Sequence, residues 1–201
     1  AARSCLAVRE VRSGSGVAPP RLAAPVTGAA GRGVAESVQR KDTADLTWLR
    51  DGGEGPPITY VGHPMGAAVG VLRASVDPRI TNLVSLAGMV DTRAFVERKF
   101  GDLTPDQDCM WELPDCPYSS TFLQDMTEID SVAPLASRIT VPWLLVHGTA
   151  DTVVPIAESR HIATLAGGPT LLHEIQDCDH VFSDEHAPQM ARQVLRWLQP
   201  R

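Results

Sequence analysis

Three short motifs hold the side chains of this chain that could do chemistry: Gly62-His63-Pro64-Met65-Gly66, Val146-His147-Gly148-x-x-Asp151-x-x-Val154-Pro155, and Asp179-His180. A histidine with a carboxylate behind it is a general base, because the carboxylate orients the imidazole and favours its protonated form. Such a pair normally serves a hydroxyl or thiol that attacks a carbonyl carbon. The first motif has the form of the turn that presents that hydroxyl: a strand ends, one residue is held at φ > 0 over the sheet edge, and a helix starts beneath it. Gly62 and Gly66 are the small residues that let strand and helix approach. The central position, however, is Pro64. Proline has no Oγ, and its ring fixes φ near −65°, which suits the first turn of a helix. The expected local shape is therefore an ordinary strand–turn–helix without a nucleophile.

The elements needed to position these motifs are legible. Ile58 to Gly62 reads as a strand after Pro56-Pro57, and a small-residue helix (Ala67, Ala68, Gly70) runs to about Ser75. Asp77-Pro78 marks a turn, and Ile80 to Leu86 a second strand. Val141 to Val146 reads as a buried strand, Ile156 to Ala166 as a helix, Thr170 to Ile175 as a strand, and Asp184 to Leu198 as a closing helix. Strands alternating with helices imply a parallel sheet, and the acid and histidine motifs then fall at carboxyl ends of strands.

Between Asp91 and Ser131 lies a lid-like insert rich in Asp, Pro and aromatic residues, read as irregular. Its Trp111, Tyr118 and Phe122 either line an acyl pocket or form the insert's own core. Before Glu36 the chain is built largely of Ala, Arg, Gly, Pro, Ser and Val with no clear period, and residues 1–35 are set apart as a segment of uncertain structure. Val38 to Leu49 fits an amphipathic helix.

Composition narrows the function classes. With 201 residues the chain holds one α/β domain, and 18 basic against 24 acidic residues give a net charge of −6. That balance argues against a nucleic-acid partner and a basic membrane-binding face. No signal-like apolar core or 18-residue apolar run is visible, so a cytoplasmic protein is expected. Cys5, Cys109, Cys116 and Cys178 lack zinc-type spacing and are expected to be reduced, with a Cys109–Cys116 bridge as the alternative in an exported protein. No cofactor or metal is expected. Val26-Thr27-Gly28-Ala29-Ala30-Gly31-Arg32-Gly33 is similar to the phosphate loop of short-chain dehydrogenases, but it is one residue short and no Tyr-x-x-x-Lys follows.

Together, the three motifs in their order resemble the nucleophile elbow, acid loop and histidine loop of the α/β-hydrolase superfamily. The nearest members are small esterases, acyl hydrolases and serine-aminopeptidase-like enzymes, and the resemblance covers roughly residues 36–199. It implies a three-layer fold with a mostly parallel sheet whose first strands are missing or degenerate. It places Pro64 at the nucleophile position, Asp151 as the orienting acid, His180 as the general base and the Met65 amide as one oxyanion donor. Asp177 and Asp179 compete for the acid role, and no early H-G motif supplies a second oxyanion donor. His63 is expected to pack beside the turn and His147 to anchor the acid loop. The lineage reaction is hydrolysis of a carboxylic ester or amide in a small-molecule substrate, with oligomeric state open. Loss of the hydroxyl predicts an inactive or severely impaired chain. The alternatives are a non-catalytic small-ligand-binding relative and a truncated or misread hydrolase sequence.

Overall fold

The computed structural model describes residues 58–199. The segment 1–35, the Val38–Leu49 helix and the glycine-rich stretch at 26–33 lie outside the described residues. Four strands, β1 (Ile58–Gly62), β2 (Ile80–Leu86), β3 (Trp143–Gly148) and β4 (Thr170–Ile175), form one sheet in the order β1-β2-β3-β4. All three pairings are parallel. Five α-helices join or follow them: α1 (Met65–Ala74), α2 (Thr92–Phe100), α3 (Ser120–Ile129), α4 (Ile156–Leu165) and α5 (His186–Leu198). No described helix is long and apolar enough to cross a membrane.

Side chains alternate across a strand, so each central strand feeds two cores. Leu83, Trp143 and Leu145 face Ala68 and Val71 of α1 and Ile162 of α4. Val84, Leu144, Val146 and Ile175 face Cys178 and Phe182, with Met190, Val194 and Trp197 of α5 packed against them. The result is helix, sheet and helix in three layers. β3 is buried along its whole length, as a strand apolar on both faces must be. It begins at Trp143 rather than Val141, because Pro142 offers no amide to the ladder.

The insert departs from expectation in one respect. It contains two regular helices, α2 and α3, with Ser119 capping α3 by accepting from the Phe122 amide. Phe95, Phe100, Met110, Tyr118, Phe122 and Met126 make a core that closes on Met65, Met89 and Val154. Tyr118 and Phe122 are thus core residues, whereas Trp111 is 45% exposed and left-handed at φ 59°. Cys109 and Cys178 carry free thiols, so the Cys109–Cys116 bridge does not form, but Cys116 is disulfide-bonded, which corrects the expectation that all four cysteines are reduced.

The two glycines of the first motif are not equivalent. A Cβ on Gly62 would run into the Gly66 carbonyl and the Ala67 amide nitrogen, which are backbone atoms of the helix start. A Cβ on Gly66 would meet nothing nearer among the described residues than the Tyr60 hydroxyl at 3.8 Å. Gly62→Ala is therefore expected to cost about 1–3 kcal/mol by overpacking. Gly66→Ala, inside α1, should be neutral or stabilising by up to about 1 kcal/mol. Urea unfolding of the two variants checks this, and equal losses would contradict it.

Candidate active site

The acid loop is built by β3 and the start of α4. Asp151 folds back on its own loop, its Oδ1 accepting from the amides of Val153 (2.8 Å) and Val154 (2.9 Å). Its Oδ2 accepts from His180 Nδ1 at 2.8 Å and lies 3.1 Å from His147 Nε2. The Asp151 side chain is fully buried. Burial alone would push this carboxyl up, but the His147 and His180 donors and the Val154 amide hold it well below the usual carboxylate range.

His180 arrives on the loop after β4. Two neighbouring loops are laced together there: Thr149 N donates to Ile175 O, Ala150 N to Cys178 O, and Asp177 N to Thr149 Oγ1. Asp179 turns away from the imidazole and holds Ser183 through its amide and hydroxyl. Asp177 accepts from Gln176. Of the three candidate acids, Asp151 is the one that faces His180. With Nδ1 donating to Asp151, Nε2 is the acceptor nitrogen of the neutral ring, and no described residue occupies it.

Pro64 sits at φ −73°, ψ −38°, a helical conformation directly ahead of α1. Its carbonyl accepts from Ala67 N (3.2 Å) and from Met89 N (3.1 Å) at the end of β2. The strained φ > 0 geometry of a nucleophile turn is absent. Met65 opens α1, its side chain joins the insert's core, and its amide donates to no described residue, as befits a first-turn helix N–H. His63 links the two halves of the site: its Nε2 donates to the His180 carbonyl at 2.9 Å, and the two rings lie 4.9 Å apart. Burial depresses His63 from 6.5 to about 4, outweighing the carbonyl contact that favours the charged ring.

Two supporting residues have no sequence motif. Ser159 Oγ lies 2.7 Å from His147 Nδ1. Glu158 Oε2 accepts from the amides of Val90 (2.8 Å) and Asp91 (3.1 Å), and its Oε1 meets Arg98 of α2 at 3.3 Å. The only hint was that a buried histidine at 147 requires a partner at each nitrogen, and that Ser159 is a hydroxyl on the helix following the loop.

A parallel sheet with an elbow position after one strand, an acid after another and a histidine after the last defines the α/β-hydrolase superfamily. Residues 77–200 match the sequence profile of the prolyl oligopeptidase family, and the chain belongs to it. A 66-residue stretch is 38% identical to the uncharacterized protein YfhR of Escherichia coli O157:H7, covering 32% of this chain and 23% of that protein. The match thus spans less than a quarter of that relative. Among solved structures, Est1E from Butyrivibrio proteoclasticus superposes with a TM-score of 0.65 at 19% identity, over 80% of this chain and 67% of that one. The same enzyme with ferulic acid bound gives 0.66. Monoacylglycerol lipase from Paleococcus ferrophilus gives 0.58 at 18% identity, over 80% of this chain and 74% of its own. At such identities these likenesses concern the fold.

Within the site, His63 and Asp151 act on the acid limb of stability in separate pH windows. His63 titrates lower when folded, so the unfolded chain takes up the proton first, and stability falls as pH drops from about 6.5 towards 4. Asp151 is also depressed, so its contribution is present above the unfolded carboxyl value and is lost only as pH falls below about 4. Urea unfolding across pH should show up to about 3 kcal/mol lost in the upper window. His63→Gln, which keeps a donor for the His180 carbonyl, should flatten that window alone. Asp151→Asn should cost about 1–3 kcal/mol at pH 7, less at pH 3. An unchanged upper slope in His63→Gln would contradict the assignment.

Proposed function

We propose that this chain descends from ester- or amide-hydrolysing members of its family, keeps their acid–histidine pair, and as written forms no acyl-enzyme. The observation that carries the reading is the backbone at Pro64, helical and tied through its carbonyl to Ala67 and Met89. In the lineage reaction a hydroxyl at position 64 attacks the substrate carbonyl and gives its proton to His180 Nε2. Asp151 steadies the imidazolium, and the Met65 amide receives the developing oxyanion. Here no oxygen stands at position 64, so the first bond does not form.

Among the described residues, the nearby thiol and hydroxyl do not replace it. Cys178, two positions before His180, is buried, and burial together with the Asp179 and Asp151 carboxylates pushes its thiol up to about 11. Thiolate is therefore scarce at neutral pH. Ser183 is engaged with Asp179. The substrate class of the lineage, a small carboxylic ester or amide, is in keeping with structural neighbours that include a monoacylglycerol lipase and Est1E with ferulic acid bound.

Removing a nucleophile typically costs on the order of 10⁶ in rate. Hydrolysis of aryl esters by this protein should therefore match that of its His180→Ala variant, with no fluorophosphonate labelling. Pro64→Ser restores a hydroxyl but must draw the backbone to φ > 0, at about 1–3 kcal/mol. It is expected to label and to turn over weakly, held back about 10²–10³-fold if the second oxyanion donor is lacking. A burst of acyl-enzyme from the unaltered protein would overturn the proposal. Failure of folded Pro64→Ser to label would place the defect beyond this residue.

A further inference from the structure

His147 does more than fill the end of β3. Its side chain is fully buried, with Nδ1 2.7 Å from Ser159 Oγ and Nε2 3.0 Å from Val154 O and 3.1 Å from Asp151 Oδ2. Proton counting fixes the arrangement. Both neighbours of Nε2 are acceptors, so Nε2 carries a proton. In a neutral ring Nδ1 is then an acceptor and needs a donor. The Ser159 hydroxyl is the group in place, itself only 1% exposed. The Asp151 carboxylate thus receives the Val153 and Val154 amides on Oδ1 and His180 on Oδ2, where His147 Nε2 also lies at 3.1 Å while bonding the Val154 carbonyl.

We propose that Ser159 and His147 are positioning residues for the Asp151–His180 pair: the Ser159 hydroxyl caps His147 Nδ1 and fixes the ring, so that its Nε2–H, shared between the Val154 carbonyl and Asp151 Oδ2, steadies the carboxylate against His180. The chain runs Ser159 Oγ–H to His147 Nδ1, then His147 Nε2–H to Asp151 Oδ2, where His180 Nδ1–H converges. Without the hydroxyl, Nδ1 is left buried with no donor and the ring loses the contact that fixes its plane. Nε2–H then turns from the carboxylate, and Oδ2 keeps His180 alone. The inference rests on reading Asp151 and His180 as the acid–base pair of the lineage, but its test reads the rings directly and is independent of labelling at position 64.

The experiment is ¹⁵N NMR of the histidine rings, whose nitrogen shifts separate the two neutral tautomers from the imidazolium. In the unaltered protein near neutral pH, His147 is expected as neutral Nε2–H, and His180 as Nδ1–H with a slowly exchanging proton. In Ser159→Ala the His147 Nδ1 should shift as it loses its donor, and the His180 Nδ1–H should shift and exchange faster. Ser159→Thr keeps the hydroxyl, and Ser159 lines a small cavity with Trp143, Leu145 and Ile162. It should restore both signatures. The proposal is overturned if native His147 is the Nδ1–H tautomer or an imidazolium, if Ser159→Ala leaves both rings unchanged, or if the threonine variant behaves like alanine. The native tautomer needs no substitution, so the proposal is decided even if Ser159→Ala does not fold.

Discussion

The buried charge of Asp151 is the constraint around which the rest of the molecule is arranged. A carboxylate withdrawn from water is tolerated only when its oxygens are supplied with donors. Those donors come from the acid loop's own amides, from the end of β3 through His147, and from the loop after β4 through His180. Meeting that requirement pins two loops and the first turn of α4 to one another. At Gly148 the packing is so close that an added Cβ would strike the Cys178 carbonyl. The acid–histidine contact is therefore part of what holds the carboxyl edge of the sheet together, and the fold has its own reason to keep the pair.

Proline at position 64 is compatible with the same frame because it changes the backbone only locally. The strand still ends at Gly62 and the helix still begins at Met65. A carbonyl that accepts from the helix and from the β2 exit takes the place of an outward hydroxyl. His63 keeps its contact with the His180 carbonyl, so the neighbouring loops stay in register. At this point the strand, turn and helix and their loop contacts stand with a proline in helical conformation at the turn.

Much of this arrangement was legible in the residues. β1, β2 and β4 have the ends that alternation and punctuation suggested, and the order of the motifs foretold which loops would meet. β3 was displaced by two residues because a polar His147 and a Gly148 disguise a strand end whose side chains are satisfied from elsewhere. The helices of the insert were hidden by their surroundings: α2 carries four charged residues in nine, and the Asp- and Pro-rich stretch between α2 and α3 breaks any period. Ser159 and Glu158 carry no signal at all in one dimension. Their importance depends on the rotation of α4 and on which loops happen to pass over it, and those are properties of the packed chain.

The insert's core is not its own. Met65 from the start of α1, Met89 from the β2 exit and Val154 from the acid loop are built into it, and Glu158 of α4 holds the amides of Val90 and Asp91 and the Arg98 guanidinium from outside. A segment rooted in this way is no interchangeable cassette. Drift in α2 or α3 is transmitted to the residues beneath the site, and a recombination event that brought in a relative's insert would have to bring matching partners at 65, 89, 154 and 158. Within this lineage, the insert and the acid loop are tied to a shared history.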